Sequence, residues 1–445
     1  MADTPIKKVL VLGAGLVARP LVKYFLDRPE FELTVASRTV SKAEELIQGH
    51  PRGRAQALNS NDDAALREAI SRCDLAISLL FATQHVTVAE HCIALKKPMA
   101  TTSYVSPAMR ALEPRAIEAG IMILNECGLD PGIDHMSAKR IIDDVHGRGG
   151  KITGFSSSCG GLPAPEANTN PWGYKFSWSP RGVVTAAKNA ARFLKDGEII
   201  DIPGPRLFAN PGHATFDGIE YEIYPNRDSL GYIELYDIPE TRTMFRGTFR
   251  NMGHCDLWLK LATLNLFDES KTYDFNVLSP AAFLLQTLTG TAATAEQRVR
   301  EFLDDLRPSA SIDKMRWLGL FGETPTGIGQ MPPLDLLASL LLAKLQYEPG
   351  ERDMIILHHD FDVEYPADKR REHITSTLID YGIPAGDTSM ARTVSLPVAI
   401  GVRLMLEGVI NLPGVHVPVV PEIYNPILDE LETMGIKFVE KTEVK

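Results

Sequence analysis

The sequence predicts an α/β chain with a Rossmann-like parallel sheet at its N-terminus, a second α/β domain with a mixed sheet, and a helical insertion. Strand-like and helix-like segments alternate from residue 9 to 125, the rhythm of a right-handed doubly wound sheet. After Pro131-Gly132 the alternation stops. Strand-like stretches follow at 151–159, 216–224, 243–250, 354–365 and 373–381, the last four read as antiparallel strands of a second sheet. Between 253 and 349 the pattern turns helical, with leucine-rich runs. At 445 residues the chain exceeds what one core usually supports. The expected division is 1–129 for the parallel-sheet domain, 130–252 with 350–409 for the second α/β domain, and 253–349 for the all-helical insertion. The tail, about 410–445, is expected to rejoin the first domain.

The composition narrows the function classes. Hydrophobic residues make up 44% and charged residues 23%, as in soluble globular proteins. A net charge of −11 argues against nucleic-acid and anionic-membrane partners, so an anionic ligand must be met by locally placed arginines. Five cysteines without a C-x-x-C pair form neither a disulfide framework nor a zinc knuckle, and suggest a reducing compartment. Residues 1–8 hold no apolar signal core, and the apolar helical run at 334–345 is too short to span a bilayer. The expected location is cytoplasmic. His358-His359 alternate across a strand, so one at most faces a given site, and no metal triad is visible.

The first strand, Val9-Leu10-Val11-Leu12, stops at Gly13-Ala14-Gly15 and re-enters an apolar pattern at Leu16-Val17-Ala18. This is G-x-G-x-x-A, a dinucleotide-binding fingerprint. Gly13 permits the turn, Gly15 lets backbone approach a pyrophosphate, and Ala18 allows close helix–strand packing. Pro20 cannot donate to Leu16, which predicts a local irregularity in the helix. The second strand, 31–36, runs into Ser37-Arg38-Thr39. An NAD site usually places a carboxylate here; a guanidinium instead binds a ribose 2′-phosphate bidentately. A unit-charge pair at about 4 Å and an effective dielectric of about 20 is worth ~4 kcal/mol before desolvation. The expected cofactor is therefore NADP(H).

A helix at 41–48, a strand at 54–58 and a helix capped by Asn61-Asp62-Asp63 follow. The fourth strand, 75–80, ends at Phe81, which puts Leu79, Leu80 and Phe81 near the cofactor, because ligands lie beyond the carboxyl ends of such strands. His91 and Cys92 read as packing residues on the next helix. The fifth strand, 98–101, leads to Thr102-Ser103-Tyr104, whose hydroxyls can bond a carboxylate or simply cap a helix. The sixth, 121–125, leads to Glu126-Cys127-Gly128-Leu129-Asp130-Pro131-Gly132. Asp130 can serve as an ammonium ligand or base, or as a turn residue; Glu126 reads as a supporting group. A linking helix spans 133–145, and Cys159 ends the next strand either as a proton donor or as a small buried thiol. The Gly-, Pro- and aromatic-rich stretch 160–178 is a long shaped loop, followed by a helix at 183–193. Arg227, Arg246 and Arg250 stand beside Gly, Pro or Asn at strand ends and suit a di- or tricarboxylate. A long apolar helix is expected at 389–406.

Several of these stretches together resemble the fungal saccharopine reductases, the NADP-dependent, L-glutamate-forming saccharopine dehydrogenases. They are Val11 to Ala18, Ala36-Ser37-Arg38-Thr39, Thr102 to Pro107, Asn125 to His135, Cys159 to Glu166, Gly173 to Trp178, Tyr224 to Ser229 and Arg246-Gly247-Thr248. Cys127 departs from the aliphatic residue common in that family. The resemblance implies a Rossmann variant, a substrate and dimerisation domain, a helical domain that closes over ligand, and a homodimer. It implies reduction of the imine of 2-aminoadipate 6-semialdehyde and L-glutamate to saccharopine, the penultimate step of lysine biosynthesis by the α-aminoadipate route. By matching positions, Gly13, Ala14, Gly15, Leu16, Val17, Ser37, Arg38, Thr39, Leu58, Asn59, Leu79, Leu80, Thr102, Ser103, Leu129, Asp130, Pro131 and Lys175 would hold NADPH. Thr102, Ser103, Asp130, Arg227, Thr248, Phe249 and Arg250 would hold saccharopine, with Tyr104, Asp130 and Cys159 as candidate proton carriers. The alternatives are another NADP-dependent imine or carbonyl reductase, such as a carboxynorspermidine-type dehydrogenase, and an NADP-sensing or scaffold protein.

Overall fold

The computed structural model describes residues 5–178, 180–305, 307 and 309–445. The chain divides into two compact units, Met1–Gly150 with Gly386–Val439, and Lys151–Ala385 with Glu440–Lys445. In the first unit β1 (Lys7–Leu12), β2 (Phe31–Ser37), β3 (Gly53–Ala57), β4 (Leu75–Ser78), β5 (Met99–Thr101) and β6 (Met122–Leu124) alternate with helices. These are α1 (Ala18–Leu26), α2 (Val40–Ile47), α3 (Asp63–Ser71), α4 (His85–Leu95), α5 (Pro107–Arg110), α6 (Glu113–Ala119) and α7 (Ile133–Gly147). The second unit begins with β7 (Lys151–Pro163), α8 (Pro180–Ala186), β8 (Ala191–Lys195), β9 (Glu198–Ile202), β10 (Gly212–Phe216), β11 (Ile219–Pro225), α9 (Gly231–Leu235) and β12 (Thr243–Asn251). It continues through α10 (His254–Thr263), β13 (Tyr273–Asp274), α11 (Pro280–Thr287), α12 (Ala295–Phe302), α13 (Ala310–Leu318), β14 (Gln330–Met331) and α14 (Pro333–Lys344) to β15 (Asp353–Tyr365) and β16 (Arg370–Tyr381). The chain then returns as α15 (Ser389–Leu406), β17 (Gly414–His416) and α16 (Pro421–Thr433), and ends in β18 (Val439–Val444).

The first sheet is parallel throughout, in the order β17-β6-β5-β4-β1-β2-β3. Its interior strand β1 carries four apolar residues, Val9 to Leu12, each at most 1% exposed, as a strand covered on both faces requires. Burying each contributes about 1.5–3 kcal/mol. The irregularity expected at Pro20 is absent. The helix starts only at Ala18, so Pro20 falls in the first turn, where its missing N–H has no intrahelical partner to lose. The unit extends to Gly150 and not to 129, because α7 packs on α16. For the same reason 386–409 belongs with the first unit, where α15 packs on α1 and α16. By length and composition α15 could cross a membrane, yet 72% of its apolar window is buried inside the unit.

The second sheet has nine strands, with β10-β11-β12-β7-β15-β16-β18 in one path and β8-β9 branching from β12. Four expectations change here. The 243–250 strand is antiparallel to β11 but parallel to β7, so the sheet is mixed at its centre. The 183–193 helix stops at Ala186, and 191–195 is strand β8. Asp196 (φ 53°) and Gly197 (φ 88°) form the tight turn of a β8-β9 hairpin, and Phe193 packs edge-on against Phe245 at 5.2 Å. Likewise, Asp217-Gly218 turns the chain between β10 and β11, so 216–224 is not one strand. Tail strand β18 joins the second sheet, and only β17 and α16 rejoin the first unit. Among the described residues between 253 and 349, five helices enclose a core that includes Trp258, Leu261, Ile312 and Leu337, with one two-residue strand pair, β13-β14.

Candidate active site

The cofactor features converge after β1. Gly13 has φ +114°, and a Cβ there would lie 3.0 Å from the Leu79 carbonyl. At Gly15 a Cβ would meet nothing within 4 Å, so the backbone faces open space. The α1 N-terminus carries no side-chain cap and no acidic residue in its first turn, which leaves its N–H groups and dipole for an anion. Leu16 and Phe81 are 65% and 68% exposed, a large share for apolar side chains. At the end of β2, Arg38 is exposed and has no hydrogen bond or ion pair among the described residues. Ser37 Oγ accepts from the Thr39 amide at 3.3 Å. These groups fit a dinucleotide with a 2′-phosphate: a glycine cradle, an uncapped helix and an uncommitted guanidinium. Asn59 is exposed after β3, whereas Leu58, Leu129 and Pro131 are buried, so the last three can offer backbone more readily than side chain.

Tyr104 and Asp130 meet after β5 and β6, where the Tyr104 hydroxyl donates to Asp130 Oδ1 at 2.7 Å. The loop carrying Tyr104 is held from below by Glu126. That residue adopts φ 56°, accepts from the Val105 amide at 2.8 Å, donates its own amide to the Ser103 carbonyl, and accepts from His135 Nε2 at 2.7 Å. Glu126 and His135 are buried at 4% and 0% exposure, so this is a fixed support. The Asp130-Pro131 bond is cis. The turn closes on Gly132, where a Cβ would sit 2.1 Å from the Gly128 carbonyl. Ser103 Oγ lies 2.8 Å from Nε2 of His85, whose Nδ1 lies 2.9 Å from Ser78 Oγ. The sequence reading missed His85. No local signal marks it, because its partners arrive from two other strand ends. Burial lowers its pKa from the ordinary 6.5 to about 4. His91, by contrast, pairs with Asp63 at 2.8 Å, and Cys92 is fully buried, both in packing roles.

In the second unit the register aligns Cys159 (β7), Thr248 (β12) and Tyr224 (β11) in one row. Strand alternation places Arg246, Thr248 and Arg250 on the same face of β12. Arg250 is 5% exposed, with its guanidinium 5.2 Å from the Tyr174 ring and 5.6 Å from the Tyr224 ring. Nη1 donates to the Phe249 carbonyl at 2.8 Å, Nε has no partner, and no carboxylate pairs with it among the described residues. A buried, unbalanced guanidinium of this kind calls for an anionic ligand. Beside it His254 stacks on Tyr224, and burial, then Arg250 and Lys314, keep it neutral.

At two expected positions the side chain is engaged elsewhere, which leaves the backbone to meet a ligand. Phe249 points to the other face, fully buried against Phe216 and Tyr221, so its side chain is a core residue and not a ligand contact. Lys175 is 4% exposed and its ammonium is held by both Glu351 oxygens, at 2.6 and 2.5 Å, and by Thr169 Oγ1 at 3.0 Å. Its charge is spent on tying down the 169–176 loop and is not free for a phosphate. Arg227 is exposed in a left-handed conformation, φ 57°, and Arg246 is buried with its guanidinium 4.4 Å from the Tyr232 ring. Cys159 is buried at 7% exposure.

A doubly wound sheet with this fingerprint and an arginine after β2 defines an NADP-dependent oxidoreductase. The saccharopine dehydrogenase NADP binding domain matches residues 9–124, and the saccharopine dehydrogenase C-terminal domain matches 128–436. The chain therefore belongs to the saccharopine dehydrogenase family. It is 43% identical, over 97% of its length and 98% of the relative's, to the saccharopine dehydrogenase [NADP(+), L-glutamate-forming] of Schizosaccharomyces pombe. Against the Saccharomyces cerevisiae enzyme of the same name it is 41% identical over 98% of this chain and 99% of that one. It also matches the bovine mitochondrial alpha-aminoadipic semialdehyde synthase, 36% identical over 99% of this chain and 48% of that one. The solved structure of apo histidine-tagged saccharopine dehydrogenase (L-Glu forming) from Saccharomyces cerevisiae superposes with a TM-score of 0.88 at 39% identity, over 98% of this chain and all of that one.

Proposed function

We propose that this chain reduces the imine formed between L-2-aminoadipate 6-semialdehyde and L-glutamate, giving saccharopine in an NADPH-dependent step of lysine biosynthesis. The single observation that carries this is its full-length identity of 40% or more to enzymes of that name, joined to a parallel sheet with the matching fingerprint. NADPH, when bound, supplies the hydride that the imine carbon receives. The Gly13-Ala14-Gly15 turn and the α1 amides hold its pyrophosphate, and Arg38 with Ser37 holds the 2′-phosphate. Arg250, with Thr248 beside it, takes a substrate carboxylate, and exposed Arg227 is a second carboxylate ligand. The candidate proton carriers for carbinolamine breakdown and imine protonation are Tyr104 or Asp130 of the first unit, or Cys159 of the second, each acting directly or through water.

We further propose that the chain works as a homodimer, as the family resemblance implies, and in the cytoplasm, which its free cysteines support. Light scattering of the purified chain and imaging of a tagged copy test these two points. The reaction is tested by following reduced-nicotinamide absorbance with the semialdehyde and L-glutamate, with NADPH and then NADH. Turnover with NADPH and glutamate, and little with NADH, supports the reading. Turnover only with a different amine would move it to the carboxynorspermidine-type alternative.

A further inference from the structure

Ser78, His85 and Ser103 form a hydrogen-bonded chain across the carboxyl ends of β4 and β5, where this sheet class binds its ligands. Ser78 is fully buried, and its hydroxyl has one partner among the described residues, His85 Nδ1 at 2.9 Å. A buried hydroxyl hydrogen needs an acceptor, so Ser78 donates and Nδ1 is unprotonated. A neutral imidazole then carries its proton on Nε2, which donates to Ser103 Oγ at 2.8 Å. Thr101 Oγ1 competes for Nε2 only at 3.4 Å, the outer limit of a hydrogen bond, so the 2.9 Å Ser78 contact sets the tautomer. The depressed pKa of His85 agrees with a neutral ring. Ser103 is half-buried, and once it accepts from His85 its own hydrogen is left to donate outward.

We infer that His85 is a positioning residue that fixes the Ser103 hydroxyl as a donor to a ligand oxygen. This rests on the reductase reading above. The ligand group is an oxygen acceptor with one of two sources, a substrate carboxylate or the carboxamide oxygen of the nicotinamide. Ser103→Ala, His85→Leu, the double variant and Ser78→Ala separate the possibilities, each measured for kcat, for KM of saccharopine and for NADPH affinity by fluorescence. The expected result is a loss of about tenfold or more in kcat/KM for both single variants at positions 103 and 85. The double variant is expected to lose no more than the worse single one, because both remove the same hydrogen bond. A raised KM for saccharopine with unchanged NADPH affinity names the substrate carboxylate; weakened NADPH affinity names the carboxamide. Ser78→Ala, which leaves the ring in place but frees its tautomer, is expected to lower kcat/KM severalfold and keeps the inference testable if His85→Leu does not fold. Wild-type kcat/KM in Ser78→Ala, or additive losses in the double variant, overturns it. If the wild-type chain binds NADPH but does not turn over saccharopine, the reductase reading is what fails.

Discussion

At the residue scale, the two arginines we propose as ligand-binding groups, Arg38 and Arg250, stand in opposite surroundings. Arg38 is exposed and has no ion pair among the described residues, so its charge is open to a phosphate at little desolvation cost. Arg38→Ala is expected to lower kcat/KM for NADPH by about 100-fold and to leave the NADH value within a few fold, as measured by steady-state kinetics. Arg250 is buried, and burial works against its charge, while Tyr224, Tyr174, Cys255 and Cys159 favour it. Because no carboxylate pairs with it among the described residues, Arg250→Met is expected to raise the melting temperature of the second unit while weakening saccharopine binding by about 100-fold or more. A lower melting temperature in that variant would show that the charge is balanced within the chain. The sequence made the arginines visible by type and setting. It could not show that Phe249 faces away, because a strand's facing is fixed by its partners and not by its neighbours in the chain.

At the element scale, the turn from β6 to α7 depends on Gly132. Its φ of +147° and the 2.1 Å approach that a Cβ would make to the Gly128 carbonyl leave no room for a side chain. Gly132→Ala is expected to cost more than about 3 kcal/mol and to be visible as a lower melting temperature with impaired NADPH binding. Most first-unit elements were legible because β-α periodicity and turn residues are local signals. The β8-β9 and β10-β11 hairpins were legible in principle, since Asp196-Gly197 and Asp217-Gly218 are strong turn pairs between short strands. The helical reading of 183–193 overlooked the first of these. The pairing of β12 beside β7 in parallel had no local signature at all, because parallel partners are joined only through a long crossover.

At the scale of the whole molecule, the tail completes the first unit. β17 pairs with β6, and α16 buries Ile423, Ile427 and Leu431, each 0% exposed. Removing those three contributes about 5–9 kcal/mol of lost burial, comparable with the total stability of a domain. A chain ending at Glu407 is expected to lose the cooperative melting of the first unit and NADPH binding together, by calorimetry and fluorescence. The stability of that unit also depends on pH through His85. Its folded pKa of about 4 lies below the ordinary 6.5, so the unfolded state takes up the proton first. The stability is full above about pH 6.5 and falls as pH drops toward 4, by about 3 kcal/mol from this one group. In urea titrations His85→Gln is expected to flatten that part of the pH profile.

The sequence by itself determined the strand–turn–helix that opens the first unit, the NADP-binding class of that unit, and the family, because each is written in contiguous residues of fixed spacing. Tertiary structure alone decided what non-local neighbours do to a side chain: Lys175 neutralised by Glu351 across 176 residues, His85 joined to Ser78 and Ser103, Phe249 turned into the opposite core, and β18 sent to the second sheet. Charge pairing, hydrogen-bond satisfaction and strand facing depend on which atoms meet in space, and spacing along the chain does not encode that meeting.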